Sequence, residues 1–333
     1  MGKGGQLVVK EPIFLQPIFQ ERIWGGSRLR DIYNYPIESS LTGECWAISA
    51  HPNGESTVRC GKYKGLTLSE LWNKHHELFD YYNSEEFPLL TKIIEANEDL
   101  SVQVHPDDYY AKEYENSELG KTECWYIIDC NEDADIIIGH YAQTKEEFID
   151  KVKNKSWDQL LRRIKIKPGD FFYIPSGTLH AICKGTILLE TQQNSDITYR
   201  IYDYNRRDKN GNLRELHLQK AIDVITTPHK EVKHPPNIIL QRKSVLTNFI
   251  EGEYFTVSKW VIKEQLKMEQ NQPFMLFSVI EGKGRLKTNG KQYELYKGDH
   301  FILPFKMDDF ILKGNLQFIV SYPSSNIEGK INK

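Results

Sequence analysis

The chain has 333 residues, 39% of them hydrophobic and 27% charged, with a formal net charge of −3. That length supports a sizeable core and leans toward two domains, and the charge balance gives no electrostatic reason to expect a nucleic-acid or membrane-surface partner. The five cysteines (Cys45, Cys60, Cys124, Cys130 and Cys183) are odd in number and form no CxxC pair. They read as reduced thiols of a cytoplasmic protein, not as a disulfide framework. Met1-Gly-Lys-Gly-Gly carries no apolar signal core, and no apolar run reaches 18 residues, so a cytoplasmic location is expected.

Short strands and turns are predicted over residues 6–60, with a turn at Trp24-Gly25-Gly26 and a strand over Glu44–Ser49. A helix is predicted over 67–80, capped by Thr67 or Ser69, with Leu68, Leu71, Trp72 and Leu78 on one face. Pro88 to Pro106 returns to β character. A second helix is predicted over 144–163, opening on a Thr144-x-x-Glu147 capping box and burying Phe148, Val152, Trp157, Leu160 and Leu161. Strands resume at Ile164 and run past Arg200. Lys209-Asn210-Gly211-Asn212 reads as a turn and Leu213–Ile225 as a short helix. Pro228, Pro235 and Pro236 mark a linker over 229–240. Residues 245–323 read almost wholly as strands. Scattered Gly and Pro and an aromatic content of 12% agree with a mainly β fold.

The run from Ile166 to Pro175, with Gly169-Asp170 before Phe171-Phe172-Tyr173-Ile174, is echoed from Leu295 to Pro304, with Gly298-Asp299 before His300-Phe301-Ile302-Leu303. A Gly-Asp turn followed by a strand that ends at Pro suggests two related β modules. The first run continues to Gly177-Thr178-Leu179-His180. The second continues to Phe305-Lys306-Met307 without a matching His, so only the first module is expected to hold a metal.

Gln103 and His105 alternate with Val102 and Val104, which in a strand aims both polar side chains at one face. With Glu123 and His180 they make an N/O donor set suited to a hard or borderline divalent ion with room for water. Lys121 would share the face of Glu123, whereas Cys124 would point away. Taken singly each residue has a bland reading. His180 after Pro-x-Gly can be structural, Glu123 can form a surface ion pair with Lys121, and Arg200 can pair with Asp196 or Asp203. Lys92 and Arg206 can be ordinary solvated cations. Glu190, on an apolar strand, needs a partner if buried. The remaining eight histidines have no convergent motif and read as structural.

The pattern Gly-x5-Pro-x-Gly-x2-His from Gly169 to His180 resembles a cupin motif, the signature of double-sheet jelly-roll barrels. Ser101-Val102-Gln103-Val104-His105-Pro106, Lys121-Thr122-Glu123, Gly177-Thr178-Leu179-His180-Ala181 and the stretch Glu190–Arg200 follow in order. Together they resemble type I mannose-6-phosphate isomerases in their short bacterial form, over about residues 10–210. The resemblance implies two cupin-type jelly-roll β-barrel modules with a small helical portion attached to the first. The catalytic metal-binding module would span 1–228 and a degenerate one 241–333. It implies one Zn2+ per chain on Gln103, His105, Glu123 and His180, a catalytic Arg200, and pocket roles for Lys92, Ser101, Lys121 and Glu190. Arg206 stands where a basic residue helps with phosphate. Ile182 replaces a Tyr of eukaryotic members, so that residue's role does not transfer.

The implied reaction interconverts mannose 6-phosphate and fructose 6-phosphate through a cis-enediolate, whose charge a metal and a guanidinium can stabilise. The implied partner is a small sugar phosphate, with no nucleic acid or membrane, for a monomer or weak homo-oligomer. Two other readings stand beside it. Two His and one Glu could make the Fe(II) triad of a cupin oxygenase, although Gln103 as a fourth ligand stands against it and the nearby Lys and Arg suit a phosphorylated substrate. A non-catalytic sugar-binding cupin would be expected to have lost its ligands, and only the second module lacks them.

Overall fold

The computed structural model describes residues 10–115, 119–208, 210–307 and 309–324. The chain is mainly β, and it forms two compact units that interleave along the sequence. One unit holds Ile18–Gly54 and Leu89–His234; the other holds the residues up to Pro17, Glu55–Pro88 and those from Pro235. This differs from a plain succession of 1–228 and 241–333. The segment expected as a linker also contains a strand, Asn237–Gln241.

The first unit is built from two sheets. A six-stranded antiparallel sheet runs, edge to edge, through Phe171–Ile174, Glu123–Cys130, Thr186–Gln193, Leu89–Ala96, Thr42–Ile48 and Ile18–Gly26. A five-stranded sheet runs through Tyr199–Tyr202, Val102–Val104, His180–Ile182, Asp135–His140 and Leu161–Lys165. Ile94, Trp125, Ile127, Ile174 and Leu188 of the first meet Ile136, Ile138 and Ile182 of the second in one buried cluster, so the sheets pack face to face. The other face of the five-stranded sheet offers Val102, Val104, Ile137, Ala181 and Ile201. These pack on Phe148, Val152, Leu160 and Ala221 from three short helices, Lys145–Lys153, Trp157–Leu160 and Leu218–Val224. The strict alternation along each strand assigns one set of side chains to the interior and the next to the helices.

The second unit is a nine-stranded sheet. Phe14, Trp260, Ile262, Phe277, Phe301, Phe310 and Phe318, from strands across its width, share one core. Phe277 and Phe301 stack with centroids 5.0 Å apart. The echo noted in the sequence is structural. Gly169 and Gly298 both take positive φ. The following carboxylates, Asp170 and Asp299, each accept from the backbone N–H three residues earlier, at Lys167 (3.0 Å) and Tyr296 (2.8 Å).

Several element boundaries differ from the sequence expectation. The helix over 67–80 belongs to the second unit and breaks at His75 into Leu68–Lys74 and a 3-10 turn, His76–Phe79. Thr67 and Glu70 make its reciprocal capping box. At the other helix Thr144 caps Glu147 N–H, but the Glu147 carboxylate accepts from Gln143 N–H instead of closing a box. That helix ends at Lys153, where Lys155 turns with positive φ, and Leu161 already begins a strand. The short helix predicted over 213–225 is confined to Leu218–Val224. Trp24-Gly25-Gly26 ends a strand and is no turn. A Cβ on Gly25 would lie 2.3 Å from the Leu41 carbonyl, so the glycine allows two backbones to touch. The turn at Asp208–Asn212 is present, with Lys209 outside the described residues. Among the described residues, no helix is long and apolar enough to cross a membrane.

Candidate metal centre

Register brings the predicted residues together. Gln103 is the cross-strand partner of both His180 and Arg200, and His180 is opposite Ile138 of the inner core. Opposed residues of antiparallel strands project to one face, so Gln103, His180 and Arg200 look inward from the five-stranded sheet. On the facing sheet, Lys92, Glu190 and Trp125 form one row, and Gln192 and Glu123 sit in the next. His105 follows its strand directly, and Gly177 N–H donates to its carbonyl at 2.8 Å, tying it to the loop that leads into His180.

His105, Glu123 and His180 are all buried, and their donor atoms lie within 4.8 Å of one another. The two Nε2 atoms are 3.1 Å apart, and each is 3.4 Å from a Glu123 oxygen. Metal–ligand bonds of about 2.0–2.2 Å in a tetrahedral arrangement separate neighbouring donors by roughly 3.3–3.5 Å, so the cluster has the right size. Proton positions agree. His180 Nδ1–H donates to the Thr178 carbonyl at 2.8 Å, leaving a lone pair on Nε2. Glu123 Oε1, fully buried, accepts no hydrogen bond, which is costly without a cation to face. The three residues therefore fit a divalent ion. Gln103 stands beside them with its amide nitrogen 3.4 Å from His180 Nε2; a half-turn of the amide exchanges nitrogen for the carbonyl oxygen a metal would need.

Lys121 reaches the same cluster. Its ammonium donates to Glu123 Oε2 at 2.6 Å and lies 3.1 Å from His105 Nε2. The Lys121–Glu123 contact is thus an ion pair, but a buried one, with side-chain exposures of 5% and 0%, and not the surface pair of the bland reading. Burial pulls the Lys121 ammonium down, yet Glu123 and Glu190 outweigh it and the net shift is upward. Burial raises the Glu123 carboxyl, but Lys121, His180 and His105 carry it well below the usual range. His105 is lowered to about 3, first by burial and then by Lys121, so its imidazole is neutral. Glu190, which accepts from Trp125 Nε1 at 3.0 Å, is raised to about 7 by burial and by the Glu123 charge.

Lys92 is 3% exposed and so is not a solvated cation. Its ammonium lies 4.7 Å from the Trp46 ring centroid, 3.8 Å from Glu190 and 3.9 Å from Asp196. Arg200 pairs with neither Asp196 nor Asp203; its Nε donates to Ser101 Oγ at 3.3 Å and its Nη1 to the Glu215 carbonyl at 2.9 Å. Arg206 is tied to Asp203 and to the Asp99 carbonyl. Trp46, Gln192 and Arg214 were not singled out in the sequence. Trp46 and Gln192 carry no motif and reach the site only by pairing opposite Lys92 and Glu123. An open cavity of about 210 Å³ bordered by Asn53, Asp196, Tyr199, His217 and Lys220 adjoins this group through Asp196. A second cavity, about 190 Å³ between Arg162, Phe172 and His229, includes none of the candidate ligands.

A mainly β chain with a buried His–Glu–His cluster is what a cupin-type metalloenzyme requires, and residues 245–323 match the family model described as "Mannose-6-phosphate isomerase, cupin domain". Residues 13–155 match "Phosphomannose isomerase type I, catalytic domain". The chain is 54% identical to mannose-6-phosphate isomerase ManA of Bacillus subtilis, over 94% of this chain and 99% of that one. It is 51% identical to the mannose-6-phosphate isomerase of Streptococcus mutans, over 94% and 98%. The fold superimposes on a crystal structure of the mannose 6-phosphate isomerase from Bacillus subtilis with a TM-score of 0.93, at 56% identity, over 94% of this chain and 100% of that one. The chain belongs to the type I phosphomannose isomerase family.

Proposed function

We propose that this chain is an aldose–ketose isomerase that interconverts mannose 6-phosphate and fructose 6-phosphate, using one Zn2+ held by Gln103, His105, Glu123 and His180. The observation that carries the reading is the buried cluster of two imidazole nitrogens and a partnerless carboxylate oxygen, with Lys121 against it, in a chain of this family. A bound zinc ion would supply Lewis-acid stabilisation of charge on the sugar oxygens at C1 and C2. The reaction moves one proton between C2 and C1 and the carbonyl the other way, through a cis-enediolate, with no net redox change.

Arg200, always protonated, stabilises the developing oxyanion and takes no proton. Lys121 supplies a second fixed charge, and Lys92 and Ser101 line the pocket. Glu190, buried opposite Lys92 and accepting from Trp125 Nε1, is a carboxyl placed to exchange a proton with the substrate. Two jelly-roll modules, the second without ligands, are the arrangement that the twin Gly-Asp turns favour. A cytoplasmic enzyme with free thiols, acting as a monomer or weak homo-oligomer, fits the composition.

A coupled assay of mannose 6-phosphate conversion, run before and after chelation with zinc added back, tests the proposal. Activity lost with chelator and restored by zinc is expected. No turnover in a folded, zinc-loaded sample would sink it, and oxygen uptake with Fe(II) would favour the oxygenase instead.

A further inference from the structure

The loop between the metal-site histidines is held from outside. Gly177 N–H donates to the His105 carbonyl, and the Gly177 carbonyl accepts from Thr226 N–H, both at 2.8 Å. One residue on, the Thr178 carbonyl accepts from His180 Nδ1 and so orients that ring. The Leu179 carbonyl accepts from Gly139 N–H at 2.7 Å. Two segments therefore fix the backbone that leads into His180. One is the end of the strand Asp135–His140, and the other is the stretch that follows the helix Leu218–Val224. Thr226 lies outside every strand, so no sheet ladder holds it in place.

His140 joins those two segments. It is 4% exposed, and its Nε2 lies 3.0 Å from the Thr226 carbonyl. A carbonyl can only accept, so Nε2 carries the proton. The ring packs on Phe148, with centroids 4.9 Å apart. At the neighbouring Gly139, with φ +83°, a Cβ would lie 2.3 Å from the His229 ring, so the chain beyond Thr226 packs directly on this strand. A path of three hydrogen bonds thus runs from His140 to Thr226, from Thr226 to Gly177 and from Gly177 to His105. We infer that His140 is a positioning residue for the metal centre: it anchors Thr226, which holds the Gly177–Leu179 loop where His105 and His180 aim at one ion. This rests on the reading of His105, Glu123 and His180 as a zinc site, and it gives a role to a histidine that carries no sequence motif. A packing role alone, in which the ring only fills the space beside Phe148, predicts lower stability and no change at the metal.

The test is the rate of zinc release from the zinc-loaded protein into excess chromophoric chelator, with denaturant unfolding of each apoprotein measured alongside. His140→Phe keeps a ring against Phe148 but leaves the Thr226 carbonyl without its donor. Losing that bond behind the ligand loop predicts zinc release roughly 10-fold faster, with affinity weakened by a similar factor. His140→Gln brings an amide N–H near the Nε2 position and is expected to restore most of the wild-type rate. Wild-type release from His140→Phe overturns the inference. Should that variant not fold, His140→Asn, polar but too short to reach Thr226, carries the same expectation and the same overturning result. Release that follows apoprotein stability alone, with His140→Gln no slower than His140→Phe, also overturns it and leaves the packing role. A wild type that holds no stoichiometric zinc overturns the metal reading itself, and this inference with it.

Discussion

His105 Nε2 lies 3.1 Å from His180 Nε2, the first residue just past one strand of the five-stranded sheet and the second opening the neighbouring strand. Two neutral imidazoles approach this closely with lone pairs inward only when something positive lies between or beside them. Removing one ligand should therefore abolish tight zinc binding. His180→Ala is expected to lose stoichiometric zinc after dialysis, as read by metal analysis, while near-UV circular dichroism remains native-like. Retention of one zinc per chain would count against the cluster as the metal site.

Lys121 and Glu123 form a buried pair that the metal would partly replace. Removing one partner of such a pair commonly costs about 3–5 kcal/mol, because the other is left uncompensated. Lys121→Met should destabilise the apoprotein by that order in denaturant unfolding, and added zinc should recover most of the loss. An apoprotein as stable as wild type would show that Glu123 is balanced by another group.

Gly177 holds the loop between the two histidines at φ +80°, and a Cβ there would lie 2.6 Å from Thr226 Oγ1 and 2.8 Å from the Val224 carbonyl. A left-handed non-glycine residue costs roughly 1–2 kcal/mol before any clash. Gly177→Ala is expected to lower stability by at least this amount. Because Gly177 N–H fixes the His105 carbonyl, zinc affinity should fall as well. Competition titration with a chromophoric chelator measures it, and wild-type affinity would separate the loop from the ligand geometry.

His300, fully buried beside Ser278 in the second unit, has its pKa lowered to about 3 by burial and by Arg59. The unfolded chain binds that proton near pH 6.5 and the folded chain does not. Its contribution to stability is therefore complete above pH 6.5 and is lost as pH falls from there toward 3. Each such proton contributes a slope of up to about 1.4 kcal/mol per pH unit. His300→Asn should flatten the loss of unfolding free energy between pH 6.5 and 4.5 relative to wild type. Parallel curves would show that His300 takes up its proton without unfolding.

Much of the site could be read from the chain because its residues lie in short motifs whose alternation sets direction. Gln103 and His105 between valines, Lys121 two before Glu123, and His180 after a Gly-containing turn all declare a shared face. Trp46 and Gln192 could not be found that way. Each faces the site only because its strand pairs opposite Lys92 or Glu123, and register is a property of two strands. The helical predictions failed at their ends for a related reason. Leu161 continues the apolar pattern of the preceding helix, yet it pairs with His140 at a sheet edge, and that non-local pairing decides its state.

The sequence by itself determined the mainly β character, the twin Gly-Asp turns and the identity of the residues able to bind a metal. Those depend on local backbone chemistry and on donor atoms, which a chain carries wherever it folds. Only the tertiary structure decided that Ile18–Gly54 and Leu89–His234 form one unit while Glu55–Pro88 joins the other. It alone buried the Lys121–Glu123 pair, and it alone committed both Nη atoms of Arg206, one to the Asp99 carbonyl and one to Asp203. Burial and donor saturation depend on what distant strands and loops bring alongside, and no local pattern encodes that.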